Sequence, residues 1–395
     1  MRKLLIVPGD SGSLGGTLVT LSLLIKGFGY CSASDQLCVL VPSGSLSERY
    51  LHQVGQGSYL KTICAQNHSQ FLERAFRWVG QQPRDWPLLL DNCIQSEQIP
   101  AIMLAAPALR LSGRSVFHFF HDLALSYNYL GFLVRKLAFA SLSPIAICNS
   151  KFTANHIRRL VSDTRGILYQ PVDAERFNDR PPSGSPPVEL QTILRSGARV
   201  MLTPSRITKP GIVNDKNLRS LIPVLAHLKA TGHFYHAVVI GEDSSPEQMY
   251  TRALLESAER LDVADRFTVL PPTVTIEDYY KYADVMVTLA PREPFGRTVV
   301  EAIASGVPVI GSRTGGIGEI LHHFAPEWTV DPNDPVAAAE AIMRVAADTN
   351  TPKILAQGKT WVKTRCSIGG YARALMEITR LAPASQVLLE AQVRG

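Results

Sequence analysis

The chain has 395 residues, of which 46% are hydrophobic and 19% charged. That is apolar material for two or three cored domains and too much for extended disorder. Net charge is +6, and the excess is one-sided: residues 1–172 hold sixteen Lys and Arg against nine Asp and Glu, the rest 24 against 25. No apolar run reaches the roughly 18 residues of a membrane span. The apolar run at 4–7 is too short for a signal peptide. Six Cys without CxxC or metal-like spacing predict buried thiols in a reducing cytoplasm and no metal site.

In chain order, short Val/Ile/Leu runs at 4–7, 37–41, 60–64, 88–90, 116–120 and 145–148 read as buried strands. Helical periodicity falls between them at 16–28, 68–80, 97–111, 127–141 and 151–161. Continuous apolar strands separated by helices predict a doubly wound parallel sheet. Residues 179–198, opening Asp-Arg-Pro-Pro-Ser-Gly-Ser-Pro-Pro, read as a linker or long surface loop. A second alternation follows, with strands at 200–203, 237–241, 267–270, 285–289, 307–311 and 328–330. Helices are expected at 216–230, 247–261, 298–305, 316–323 and 334–348, and a helical tail at 367–393. The fold class is therefore α/β, two Rossmann-like domains facing each other across a cleft. The first domain spans 1–172, the second 173–370, and a helical tail at 371–395 is expected to pack back toward the first. In such sheets ligands sit at the carboxyl ends of strands, so the loops there are the places to look for chemistry.

The first strand runs into Pro8-Gly-Asp-Ser-Gly-Ser-Leu-Gly15-Gly16 and a helix. Gly15 and Gly16 let backbone approach a phosphate or sugar at that helix N-terminus. A dinucleotide site also needs an acid after the second strand. Here that strand ends Val41-Pro42-Ser43-Gly44, which disfavours NAD. The strand at 116–120 ends in His121-Asp122; His118 alternates with phenylalanines and reads as core, whereas His121 faces the expected cleft and could exchange a proton with a sugar hydroxyl.

In the second half, Ser205-Arg206 follows a strand and Lys216 is expected at the start of the next helix, with Lys209 and Arg219 as competitors. A forked and a point-charge cation after a strand end suit a diphosphate. The sharpest run is 290–309, Ala-Pro-Arg-Glu293-Pro-Phe295-Gly296-Arg297-Thr298-Val-Val-Glu301-Ala-Ile-Ala-Ser-Gly306-Val-Pro-Val. It places Glu293 in a loop and Glu301 in the first turn of a helix opening near Thr298. Between them the amides of Phe295, Gly296, Arg297 and Thr298 would offer an anion site at the helix N-terminus. Two carboxylates flanking an anion can each take vicinal hydroxyls, one of a sugar and one of a ribose.

With these motifs the sequence resembles retaining glycosyltransferases of the GT-B fold, glycosyltransferase family 4, from Gly15-Gly16 to about Glu319. Further matches are Asn149-Ser150-Lys-Phe-Thr, Val172-Asp173-Ala-Glu-Arg-Phe177, Gly241-Glu242 and Gly315-Gly316-Ile-Gly-Glu319. The resemblance implies that Glu293 binds the donor sugar and Glu301 the ribose. It implies that Arg206 and Lys216 hold the diphosphate while Phe295, Gly296 and the following amides touch sugar and phosphates. Gly16 would face the phosphate from the first domain and His121 would lie near the reacting sugar. The chain departs from the family in the insert 209–215 between Arg206 and Lys216, in Gln170-Pro171 where Asn-Gly is usual, and in Pro271 where Gly is usual.

The implied function is transfer of a sugar from a nucleotide-diphosphate sugar, a UDP-sugar above others, to a glycan or lipid-linked acceptor in polysaccharide biosynthesis. Configuration would be retained, without cofactor or metal; the sequence has no Asp-x-Asp. The rival readings are a nucleotide-sugar epimerase or phosphorylase of the same architecture, and a non-catalytic nucleotide-sugar-binding subunit. No nucleic-acid motif occurs. The basic first half is suited to a lipid-linked acceptor or an anionic membrane surface on the cytoplasmic side. Residues 127–140, with Arg135-Lys136, could lie at that interface or form a packed helix with a basic outer edge.

Overall fold

The computed structural model describes all residues except 1, 10–14, 127, 183, 212–214 and 382–395. The chain divides into two compact units, Met1–Pro171 with Arg365–Gly395, and Val172–Thr364.

The first unit alternates β1 (Leu4–Pro8), α1 (Gly16–Tyr30), β2 (Leu37–Pro42), α2 (Leu46–Gln53), β3 (Leu60–Ile63), α3 (His68–Gly80), β4 (Leu88–Asp91), α4 (Ile99–Leu111), β5 (Val116–Phe120), α5 (Tyr129–Leu142), β6 (Ile145–Cys148), α6 (Lys151–Ile157) and β7 (Thr164–Ile167). The seven strands are parallel in the order β3-β2-β1-β4-β5-β6-β7. The order reverses between β1 and β4, so the loops after these two strands part and leave a crevice. Central strands are buried on both faces, which is why β1 and β4 read as unbroken apolar runs. Helix starts are set by short polar side chains: Ser45, Asn67, Asn128 and Ser150 each accept from the backbone N–H three residues on.

The second unit contains α7 (Val188–Arg195), β8 (Arg199–Pro204), α8 (Leu221–Ala230), β9 (Tyr235–Ile240), α9 (Met249–Arg260), β10 (Phe267–Leu270), α10 (Ile276–Tyr280), β11 (Val285–Thr288), α11 (Arg297–Ala304), β12 (Val309–Ser312), α12 (Gly315–Leu321), β13 (Thr329–Val330) and α13 (Pro335–Ala347). Its six strands are parallel in the order β10-β9-β8-β11-β12-β13, with the reversal between β8 and β11. Then α14 (Thr351–Arg365) leads out of this unit, and α15 (Ile368–Ile378) returns to the first. There α15 packs on α1 across Gly27, where a Cβ would strike the Ile368 carbonyl and the Ala372 side chain.

Several sequence expectations need correction. The stretch 179–198 is not all linker, because Val188–Arg195 coils into α7 and buries Leu190 and Ile193 at helical spacing. Strand β7 has no apolar signature, since Thr-Arg-Gly-Ile holds a single large apolar residue at a sheet edge. Helices α2, α10 and α14 add to the expected elements; all three are polar in composition. The helix expected at 216–230 begins as a 3-10 turn, Leu218–Ser220, and becomes α-helical at Leu221. Of the helical tail, Ile368–Ile378 is helix, and 382–393 lies outside the described residues. No cysteine forms a disulfide; Cys93, Cys148 and Cys366 are buried, Cys31 and Cys38 partly so, and Cys64 is exposed.

Candidate functional site

In the second unit the loops at the carboxyl ends of β8, β11 and β12 converge beside the strand-order reversal. After β11 the chain turns through Pro291–Phe295 to Gly296, whose φ of 100° only glycine adopts without strain, and that residue caps α11. The turn is held from behind by the start of α12. The Gly316 N–H donates to the Glu293 carbonyl at 2.7 Å, and Thr314 Oγ1 donates to the Pro291 carbonyl at 2.7 Å. Gly315 and Gly316 are obligatory here, because a Cβ on either would strike the backbone of residues 293–295. Phe295 is buried beneath the turn, and the N-terminus of α11 carries no acid of its own in its first turn. Its leading amides form an anion-ready terminus.

Glu301 lies one residue further along than expected, the fifth of α11 and the start of its second turn. It is buried, with its carboxylate 3.6 Å from the Arg297 guanidinium. Burial pushes its pKa up to about 7, and the nearby Arg297 and Arg176 offset only part of that cost. Arg176 is a residue the sequence reading gave no role. It grips Glu277 at the start of α10 with two bonds of 2.9 and 2.6 Å, and donates to the Val274 carbonyl. That links the segment 172–177 to the loop after β10. Phe177 meets Tyr280 edge to face, and the Tyr280 hydroxyl donates to the Thr298 carbonyl at 3.3 Å.

Glu293 and Lys216 are brought together in an ion pair of 2.5 Å. Lys216 is not on a helix. It reaches Glu293 because Asn217 takes a left-handed φ of 51° and, fully enclosed, donates to the carbonyls of Leu289 and Pro332. Of the competing cations, Arg219 pairs with Asp215, and Lys209 is exposed. Arg206 follows β8 on a loop tied by Ser205 N–H to Ile240 O and Ile207 N–H to Glu242 O. Gly241 must be glycine because the Ser205 backbone passes over it. The Arg206 side chain is exposed and has no acidic partner among the described residues.

In the first unit a polar cluster occupies the ends of β4, β5, β6 and β7. His121 is buried, and both ring nitrogens are engaged: Gln170 Nε2 donates to Nδ1 at 3.0 Å, and Nε2–H donates to Asp91 at 2.8 Å. Its backbone N–H donates to Asn92 Oδ1, and its carbonyl accepts from Asn149 Nδ2. The expectation of His121 as a free proton exchanger is corrected by this geometry, because neither nitrogen is open to a sugar hydroxyl without breaking a buried bond. Gln170, noted only as a departure from the family, supplies one of those bonds. Asp91 and Asn92 were missed, although an acid closing an apolar strand is a readable signal. His118 is core, fully enclosed, with its pKa pulled down to about 3 by burial. Gly15 caps α1 in extended backbone and Gly16 begins it, while most of the glycine loop, 10–14, lies outside the described residues. The loop's entry is held by Gln98, which donates to the Gly9 carbonyl.

Residues 199–360 match the family described as Glycosyl transferases group 1, about two fifths of the chain. Over 96% of the chain superposes on the whole of Anabaena HepE, solved in complex with UDP, at a TM-score of 0.75 and 19% identity. The fold is GT-B. A sucrose-phosphate synthase of Thermosynechococcus elongatus covers the same share of the chain, 99% of its own, at a TM-score of 0.69 and 18% identity. In sequence, a D-inositol 3-phosphate glycosyltransferase of Geodermatophilus obscurus is 30% identical over 49% of this chain and 44% of its own. An N-acetyl-alpha-D-glucosaminyl L-malate synthase of Bacillus anthracis is 30% identical over 24% and 25%. The chain thus aligns with less than half the length of these curated relatives.

Proposed function

We propose that the protein is a retaining, metal-independent hexosyltransferase of glycosyltransferase family 4. It moves a sugar from a UDP-sugar to a hydroxyl of a glycan or lipid-linked acceptor in polysaccharide biosynthesis, in peripheral contact with an anionic membrane on its cytoplasmic side. The observation that carries this reading is the anion-ready start of α11, flanked by the carboxylates of Glu293 and Glu301 at the strand-order reversal of its sheet. The complexes of HepE with UDP and with UDP-glucose support the choice of donor.

In this reading the α11 amides and Arg206 receive the diphosphate, Glu301 accepts from the ribose hydroxyls, and Glu293 from those of the sugar. Lys216 and Glu293 neutralise each other. Donor binding gives each a second partner, a phosphate oxygen for Lys216 and a sugar hydroxyl for Glu293. As the anomeric carbon–oxygen bond breaks, negative charge grows on the leaving diphosphate, where these fixed cations and amides stabilise it without reorganising. In the first unit Asp91 and Gln170 hold the His121 imidazole in one orientation beside the crevice that takes the acceptor.

Incubation with UDP-sugars and a panel of glycan and glycolipid acceptors tests this, with product anomers assigned by NMR. Transfer with retained configuration, lost in Glu293→Gln, is expected. An epimerised nucleotide sugar formed without acceptor, or binding without turnover on every acceptor, would overturn it.

A further inference from the structure

Helices α4 and α5 lie side by side on one face of the first unit, and neither contains an acid. Their inward sides are buried, holding Ile102, Ala106 and Leu109 on α4 and Ala138, Phe139 and Leu142 on α5. Their outward sides are apolar too. On α4, Leu104, Ala108 and Leu111 recur at i, i+4 and i+7, and the two leucines are 75% and 87% exposed. On α5, Leu130, Val134 and Leu137 repeat the spacing, with Leu130 69% and Leu137 60% exposed. Large apolar side chains clustered in water on two neighbouring helices mark a surface made to be covered.

The charge of the chain gathers on the same segment. Between residues 98 and 162 there are seven Lys and Arg and a single acid, Asp122, although Arg114 is buried and Lys151, Arg158 and Arg159 lie on or just after α6. Arg110 and Lys136 are exposed on the two helices. Arg135, in contrast, turns inward and donates to the carbonyls of Ala124 and Leu125 and to Ser126 Oγ. The outer edge of α5 is therefore apolar with a basic flank, not the basic edge of an ordinary packed helix. A cleft of about 580 Å³ between α3 and α4 adjoins the stripe, lined by Leu104, Ala108, Leu111, Glu73, Arg77 and Arg84.

We propose that this α4–α5 face docks onto an anionic lipid bilayer, its leucines entering the headgroup–acyl boundary and its cations meeting lipid phosphates. The charge pattern selects this occupant. A second copy would set two acid-poor, cationic faces against each other, and an acidic polymer would leave the leucine stripes in water. No helix among the described residues is long and apolar enough to cross a membrane, so contact through this face is peripheral. The proposal deepens the membrane part of the proposed function and stands apart from its donor chemistry.

The test is co-sedimentation of the full chain with vesicles of phosphatidylcholine alone or with one third phosphatidylglycerol, at low and high salt. The comparison is a variant carrying Leu104→Ser, Leu111→Ser, Leu130→Ser and Leu137→Ser. Expected is binding to the anionic vesicles that weakens with salt and falls about tenfold or more in the variant. Thermal unfolding and the UDP-induced shift should be unchanged in the variant, which separates failure of this proposal from failure of the donor site. Absent binding by the wild-type chain, equal binding by the variant, or a change only in oligomeric state on sedimentation would each overturn it.

Discussion

Glu301 makes opposite demands on folding and on binding, and Glu301→Gln separates them. The side chain is 7% exposed, and burial raises its pKa from the ordinary 4.5 to about 7. Below pH 4.5 the carboxyl is protonated in both the folded and unfolded chain and its titration costs nothing. Between pH 4.5 and 7 the unfolded chain loses its proton while the folded chain keeps it, so stability falls as pH rises. Above pH 7 the full cost is present, about 3 kcal/mol at ~1.4 kcal/mol per tenfold change in proton affinity. Glutamine keeps the shape and removes the charge. The unliganded variant should match the wild type near pH 4.5 and gain stability steadily to pH 8. For a unit of this size the final gain corresponds to an upward Tm shift of about 6–12 °C. Calorimetric unfolding of both proteins across pH 5–8 reads this directly, and UDP affinity should fall about tenfold or more in the same variant. A pH-independent difference in Tm, or a variant less stable at pH 8, would refute the reasoning.

Gly316→Ala forces a Cβ into the Phe295 backbone, so it should cost about 2–4 kcal/mol and weaken UDP binding, read by calorimetry and titration. Glu293→Gln should leave Tm within a few degrees yet abolish transfer; retained turnover counts against its role. Gln170→Ala leaves His121 Nδ1 buried and unpaired, and should cost about 1–3 kcal/mol by denaturant unfolding. His118→Phe gives up the 3.2 Å bond to the buried Cys93 carbonyl and should cost about 1–3 kcal/mol at pH 7, yet lose less stability than the wild type in acid. The folded pKa of about 3 lies below the ordinary 6.5, so the wild type loses stability as pH falls from 6.5 toward 3; parallel acid-unfolding curves would contradict this.

The fold was legible because its central strands are buried on both faces and so read as apolar runs. Elements whose residues are half solvated, such as β7 and α10, carry no such signature. In the site, the run 293–301 was legible because glycine and acids at a strand end have few structural uses. Its supports were not. Asn217, Arg176 and Gln98 act through backbone carbonyls or partners as far as 115 residues away, in Asn217's case Pro332, and no spacing announces such contacts. The role of Gln170 was hidden for the same reason: His121 is 49 residues away in sequence. Glu301 falls one residue further into its helix than the sequence suggests, because the helix start at Arg297 is set by the left-handed Gly296, not by a polar cap.

The start of α11 with Arg206, Glu293 and Glu301 is the proposed binding site of a nucleoside-diphosphate sugar. Calorimetric titration of the wild type and Arg206→Ala with UDP, GDP and ADP tests it most directly. Saturable one-site binding of UDP is expected, weakened about tenfold or more in the variant. No heat with any of the three, or UDP affinity unaltered by the substitution, would contradict it.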